Sequence, residues 1–207
     1  MNTTIRNIDD LFDGTIGGNP NDSSPADYKL IEVNVACSSC NIGQINAQSL
    51  TAHLAPKNLE STSQNGALFI KVFDASGVPI SGATVHITNS QVTPAIDITD
   101  VTNTSGDLQI IDTATSTEAY NIVVSKSGYT TDYTVVPSES NPNPLKPPAT
   151  VTTQMVTNIS FSIDKVSTVN LSSINPQCAT VGGIGFNVSG SKTLGVNPNV
   201  FKYTKSL

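Results

Sequence analysis

From Tyr28 the chain alternates, with Leu30, Glu32 and Asn34 set against Ile31, Val33 and Val35. That period of two marks a strand with one buried face over Tyr28 to Ala36. Leu50 to Ala55 reads as its partner, stopped by Pro56, and Lys57 to Asn65 reads as a polar joint. After Gly66 the pattern becomes dense. Strands are predicted at Ala67–Asp74, Ala83–Thr88, Ala95–Val101, Leu108–Asp112, Tyr120–Ser125 and Thr130–Val136. Turns carrying Gly77, Pro79, Gly82 and Gly106 separate them, at the spacing of an all-β sandwich. A Pro/Asn/Ser loop follows from Pro137 to Pro148, and Val151 to Ile163 reads as one longer returning strand. No stretch carries a 3.6-residue apolar period, so almost no helix is expected. Residues 1–27, with Gly17-Gly18-Asn19-Pro20 and Ser23-Ser24-Pro25, have the composition of a loop or linker.

Composition supports the strand reading. Ser, Thr and Asn make up about a third of the 207 residues, while only 13% are charged, about half the usual share. Val, Ile and Leu are plentiful enough to fill a core, which argues against disorder. Thr and the β-branched residues in bulk favour strands. With a net charge of −6 and only 10 Lys and Arg, the chain lacks the basic cluster that phosphate neutralisation requires, so nucleic acid is excluded as a partner. An anionic membrane surface is disfavoured for the same reason. The start, Met1 to Gly14, is polar and holds no apolar signal region. No run approaches the length of a membrane span, so this segment does not insert directly into a membrane. Yet so little Lys, Glu and Arg against so much Thr, Ser and Asn is the composition of an exported surface protein. The expectation is a piece of a longer chain whose export signal and anchor lie elsewhere.

The middle of the chain carries a resemblance. Ile70-Lys-Val-Phe-Asp74-Ala-Ser-Gly77-Val-Pro79-Ile80-Ser-Gly82-Ala83-Thr-Val85 is followed by Thr99-Asp100-Val-Thr-Asn-Thr-Ser105-Gly106. Tyr120-Asn-Ile-Val-Val-Ser125-Lys126-Ser-Gly128-Tyr129 comes next. Together these resemble the carboxypeptidase regulatory-like domain, a transthyretin-like antiparallel two-sheet β-sandwich that recurs in bacterial surface and secreted proteins. Asp9-Asp10-Leu-Phe-Asp-Gly14, Tyr28–Val35 and Leu50–Leu59 resemble the end of the soluble domain of bacterial pilin-like surface proteins. Ile184-Gly-Phe-Asn-Val-Ser-Gly190 and Val200-Phe-Lys-Tyr203 look like the opening of a further sandwich module. The implied organisation is a linker (1–27), a strand pair from an incomplete preceding domain (28–65), the regulatory-like sandwich (66–165) and the start of a second, incomplete sandwich module (166–207).

Candidate chemistry is sparse. Cys37-Ser-Ser-Cys40 reads foremost as a local disulfide or reduced structural pair. A redox site would want a helix starting at the motif, and a zinc site four ligands. Cys178 is left over, as a free thiol or with a partner elsewhere. His53 and His86 lie within strands, away from any nucleophile motif such as G-x-S-x-G. Gly185 to Thr193 nearly spells a phosphate loop, but Ser191 intrudes before Lys192 and no helix can follow, so a hairpin turn is expected. Asp97, Asp100, Asp107 and Asp112 could together hold calcium, although solvated carboxylates suffice to explain them. Collagen-adhesin B-type domains share the sandwich and carry an intramolecular isopeptide bond. Their Lys position is occupied here by Val72, and Lys71 faces the other way.

The expectation is therefore a non-enzymatic structural or adhesive module of a bacterial cell-surface or pilus-like protein, extracellular and without cofactors. Its expected partners are other domains of the same longer chain, with surface proteins or glycans as ligands. The alternative is a carbohydrate-binding or accessory module of a secreted hydrolase. The absence of Trp, with 5 Tyr and 6 Phe, weakens it, since sugar sites are commonly built on exposed aromatics.

Overall fold

The computed structural model describes residues 1–35, 48–55 and 63–206. Among these residues the chain is all-β, with fifteen strands and no helix. No helix there is long and apolar enough to cross a membrane.

The sandwich follows directly from the alternation. One sheet runs β10 (Ala149–Val151), β8 (Ser116–Ser125), β5 (Thr84–Asn89), β6 (Ile96–Val101), with β9 (Asp132–Tyr133) on the later half of β8. The other runs β11 (Val156–Ser162), β4 (Gly66–Phe73), β7 (Asp107–Thr113). Val85, Ile87, Tyr120, Ile122 and Val124 from the first sheet meet Leu68, Ile70, Val72, Leu108 and Phe161 from the second, all buried. The intervening residues of β5, including His86, point outward, as period two requires.

The sandwich departs from the sequence expectation in several places, beginning with the strand expected over Thr130–Val136, which is only the two-residue β9. Val151–Ile163 is not one strand: β10 and β11 lie in different sheets, joined through a turn in which Gln154 takes a left-handed φ of 52°. The sandwich is also not wholly antiparallel. β11 runs parallel to β4 over seven residue pairs, Val156↔Ala67 through Ser162↔Phe73. The chain therefore brings its last sandwich strand beside its first, on a crossover that spans the whole domain.

Residues 1–27 are not simply a linker. Asn2–Ile8 forms β1, paired antiparallel with β2 (Tyr28–Val35), which in turn pairs with β3 (Gln48–Leu54). The β2–β3 pairing follows the expectation, but β2 has no buried face: its residues are half-covered or exposed throughout. This small sheet is fastened to the sandwich by polar contacts. The Arg6 guanidinium forks onto Asp100 of β6 at 2.6 and 2.8 Å, with Glu32 at 3.7 Å. Ile16, in the loop after β1, plugs a second apolar cluster with Ala67 and Ile111, flanked by Phe69 and Val156. That cluster lies on the outer face of β4, so the first half of β4 is covered on both sides, while Lys71 further along stays exposed.

Beyond the sandwich, β13 (Thr193–Gly195) and β14 (Val200–Phe201) form a hairpin nested between β12 (Asn187–Ser189) and β15 (Thr204–Ser206). It docks on the 137–148 loop through Leu145 N–H to Leu194 O and Val196 N–H to Asn143 O. The turn glycines Gly77, Gly82, Gly106 and Gly128 all have positive φ. Gly106 is the most constrained of them: a Cβ there would lie 2.4 Å from the Val72 carbonyl oxygen, so the turn closes against β4 only without a side chain.

Candidate functional site

Residues 9–27 wind between β1 and β2 and gather five aspartates. Gly14, at φ 127°, lets the loop close so tightly that a Cβ would sit 2.5 Å from the Pro20 carbonyl oxygen. Three carboxylates share one pattern. Asp9 accepts the Ile16 N–H through Oδ2 at 2.8 Å, Asp22 accepts the Ser24 N–H through Oδ1 at 2.7 Å, and Asp27 accepts the Asp10 N–H through Oδ2. In each, the other oxygen is buried and has no partner among the described residues. One oxygen from each of Asp9, Asp22 and Asp27 lies within 4.8 Å of the others, and Asp10, Asp13 and Asp27 form a second such group. Two unit charges about 5 Å apart repel by about 3 kcal/mol at an effective dielectric of about 20. Burial first, and then Asp22, Asp27 and Asp13, push the Asp9 carboxyl up to about 6. Asp27 is likewise raised, by burial and then by Asp10, Asp13 and Asp22. Among the described residues, no Lys, Arg or His forms an ion pair with any of the five. Among the described residues the result is an oxygen-only donor set with no cationic side chain paired to it.

The opposite balance occurs where the C-terminal hairpin meets the sandwich. Asp132, 2% exposed, receives the Lys146 ammonium at 2.8 Å and the Lys192 ammonium at 3.0 Å, together with the Ser162 N–H at 3.0 Å. Lys146 Nζ also sits 4.2 Å above the Phe161 ring centroid, and Lys202 lies near Tyr133 and Tyr203. Burial alone would raise the Asp132 carboxyl; the Lys146 ammonium, the Ser162 N–H and Lys192 outweigh it and hold it below its ordinary value. Burial lowers Lys146. This cluster links β9, the 137–148 loop, β11 and the C-terminal hairpin.

The residues singled out in the sequence are dispersed. Cys37 and Cys40 lie outside the described residues. Cys178 is exposed, in a turn between Asn175 and Ala179. His53 packs beside Tyr28, with ring centroids 5.1 Å apart, and His86 Nε2 lies 2.8 Å from Asp97 Oδ1. The four aspartates considered for calcium do not converge, since each has its own partner. Asp97 has His86, Asp100 has Arg6, Asp107 has Lys71, and Asp112 has Ser63 and Asn65. Residues 185–193 form no helix, and β12 and β13 pair with later strands instead of with each other. Lys71 is exposed and Val72 fully buried, as the alternation requires.

Neither the aspartate loop nor the Asp132 cluster was legible as a site. Asp9, Asp10 and Asp13 were visible as acidic residues, but the scattered acids gave no hint that Asp22 and Asp27 fold back onto them. Asp132 gave no local signal either: within Thr130–Val136 the apolar Tyr133 and Val135 share the opposite parity, so alternation reads Asp132 and Thr134 as outward, whereas the structure buries both.

No family model matches the chain, and no curated protein matches it significantly. Among solved structures, the crystal structure of a group B streptococcus pilus 2b backbone protein is similar, at 15% sequence identity and a TM-score of 0.34. The alignment covers 68% of this chain, which spans half the length of that protein. A likeness at that score transfers neither architecture nor role, so function has to be argued from the chain itself.

Proposed function

We propose that this chain is a structural module of a bacterial cell-surface or pilus-like protein, a spacer that transmits tension between neighbouring domains of a longer polypeptide. The sandwich is read as the carboxypeptidase regulatory-like type, on the motifs between Ile70 and Tyr129. Adhesion through loops at the sandwich ends is an added capacity of the same reading, with surface proteins or glycans as the ligands.

The observation that carries the reading is the parallel pairing of β4 and β11. Tension entering at Gly66 and leaving at Ser162 pulls two parallel neighbours in opposite directions. The evenly spaced ladder bonds between them then share the load and must fail together. Had the last strand been antiparallel to the first, tension would have opened the bonds one at a time. The low charge and high Ser, Thr and Asn content fit an exported spacer.

Force spectroscopy tests it. The whole chain pulled from its two ends loads β4 against β11 in shear. Handles at Gln64 and Met155, both at the starting ends of the two strands, peel the same pair apart. The end-to-end geometry is expected to need a several-fold higher unfolding force at equal loading rate, because forced unfolding reports the barrier to rupture. Equal forces in the two geometries would remove the basis of the proposal.

A further inference from the structure

We infer that residues 9–27 form a calcium site, with Asp9, Asp22 and Asp27 as ligands, and that the bound ion pins the N-terminal sheet to the sandwich. Five acids close together would not establish a site. The decisive feature is the state of three of them. Asp22 and Asp27 are 6% and 8% exposed, and each holds one carboxylate oxygen buried with no hydrogen-bond partner among the described residues, as does Asp9. Their other oxygens are already committed to backbone N–H groups, which fixes the carboxylates in place. A fold that desolvates three such oxygens, with no ammonium or guanidinium paired to them among the described residues, has left room for a cation to complete it.

The donor set chooses the ion. All ligands are hard carboxylate oxygens, without the imidazole or thiolate that zinc sites use. Three oxygens within 4.8 Å of one another have a common centre no more than about 2.8 Å from each, so a small contraction brings them to the calcium distance of about 2.4 Å. Magnesium prefers a tighter octahedron and retains several waters, so a buried, mostly protein-built cage fits it poorly. Asp10 and Asp13, grouped with Asp27, place further negative charge at the rim, and loop carbonyls are available to raise the coordination number.

The consequence concerns docking. Ile16, whose N–H donates to Asp9, is the residue that plugs the outer cluster against Ala67 and Ile111. An ion that orders Asp9 orders Ile16 with it, so calcium would couple the 1–35 region to β4.

Calorimetric titration of the 207-residue chain with calcium chloride, beside thermal melts in calcium and in EDTA, tests the inference. One saturable site is expected, with Kd at or below about 1 mM, and a melting temperature several degrees higher with calcium. Asp22→Asn keeps the Ser24 contact but removes a charge. It should weaken binding about tenfold or more, and should melt higher than wild type in EDTA because the repulsion is relieved. Asp97→Asn, outside the loop, should leave binding unchanged. Amide chemical-shift changes on titrating the wild type should centre on Asp10, Ile16 and Ser24, which keeps the test decisive if Asp22→Asn does not fold. No saturable response, an undiminished response in a folded Asp22→Asn, shifts centred elsewhere, or tighter binding of magnesium would each overturn it.

Discussion

Replacing Asp132 with Asn should destabilise the chain far more than an isosteric change normally does. Asp132 is 2% exposed and faces two ammonium groups at 2.8 and 3.0 Å. Asn can still accept the Ser162 N–H, so what is lost is the charge. Removing one partner of a buried ion pair costs about 3–5 kcal/mol, because the other charge is left uncompensated. Here the Lys146 and Lys192 side chains keep 28% and 32% of their exposure. They can turn partly to water, which brings the figure to about 2–4 kcal/mol. In a chain of this size that is a fall in melting temperature of about 6–12 °C. Urea denaturation of wild type and Asp132→Asn across pH checks the cause. The Asp132 carboxyl is held below its ordinary value. Its contribution is therefore complete above the unfolded value of about 3.9 and is lost as pH falls through the lower folded value. The two stability curves should stay parallel above about pH 5 and converge below about pH 4. A loss under about 1 kcal/mol at pH 7, or a gap that persists unchanged in acid, would refute the electrostatic account.

Arg6→Ala strands the buried Asp100 carboxylate and should cost about 2–3 kcal/mol in urea titrations. Arg6→Lys should recover less than half of that, because an ammonium cannot reproduce the two-pronged contact. Gly77→Ala and Gly106→Ala both force a left-handed residue, at about 1–2 kcal/mol. Gly77 has open space around it, whereas Gly106 abuts the Val72 carbonyl, so Gly106→Ala should lose about 1–3 kcal/mol more in thermal melts. Phe161→Ala empties a fully buried ring position and should cost about 3–5 kcal/mol. Because Lys146 lies over that ring, combining it with Asp132→Asn should give less than the sum of the two losses, measurable as a double-mutant cycle.

Within the sandwich, the strands legible in the sequence were those with one wet and one dry face, while β2 and β3 were read from their alternation although neither has a buried face. β5 shows this plainly, with Val85 and Ile87 inward against Thr84, His86 and Thr88. β1 was not legible because it has no such face: Ile5 is 60% exposed and its neighbours are polar. The break between β10 and β11 was hidden because its left-handed residue is Gln154, where a glycine would have marked the turn. The parallel return of β11 is a property of the assembled sheet, which alternation along one strand does not encode. Both charged clusters depend on contacts between residues far apart in the chain. Lys192 and Asp132 share no local pattern, and Asp9 meets Asp22 and Asp27 only once the loop has closed.

The partnership of β4 with β11 also dictates when the domain can be completed. Ala67 and Val156 are about 90 residues apart, so the second sheet lacks one edge until nearly the whole sandwich has been synthesised. Until then β4 presents an unpaired ladder and its apolar Ala67, Leu68 and Phe69, a surface prone to join other chains. Closure over so long a loop places folding in the slow, non-local regime of β-sandwiches. A chain released before Ile163 would therefore lack the edge that seals its own core.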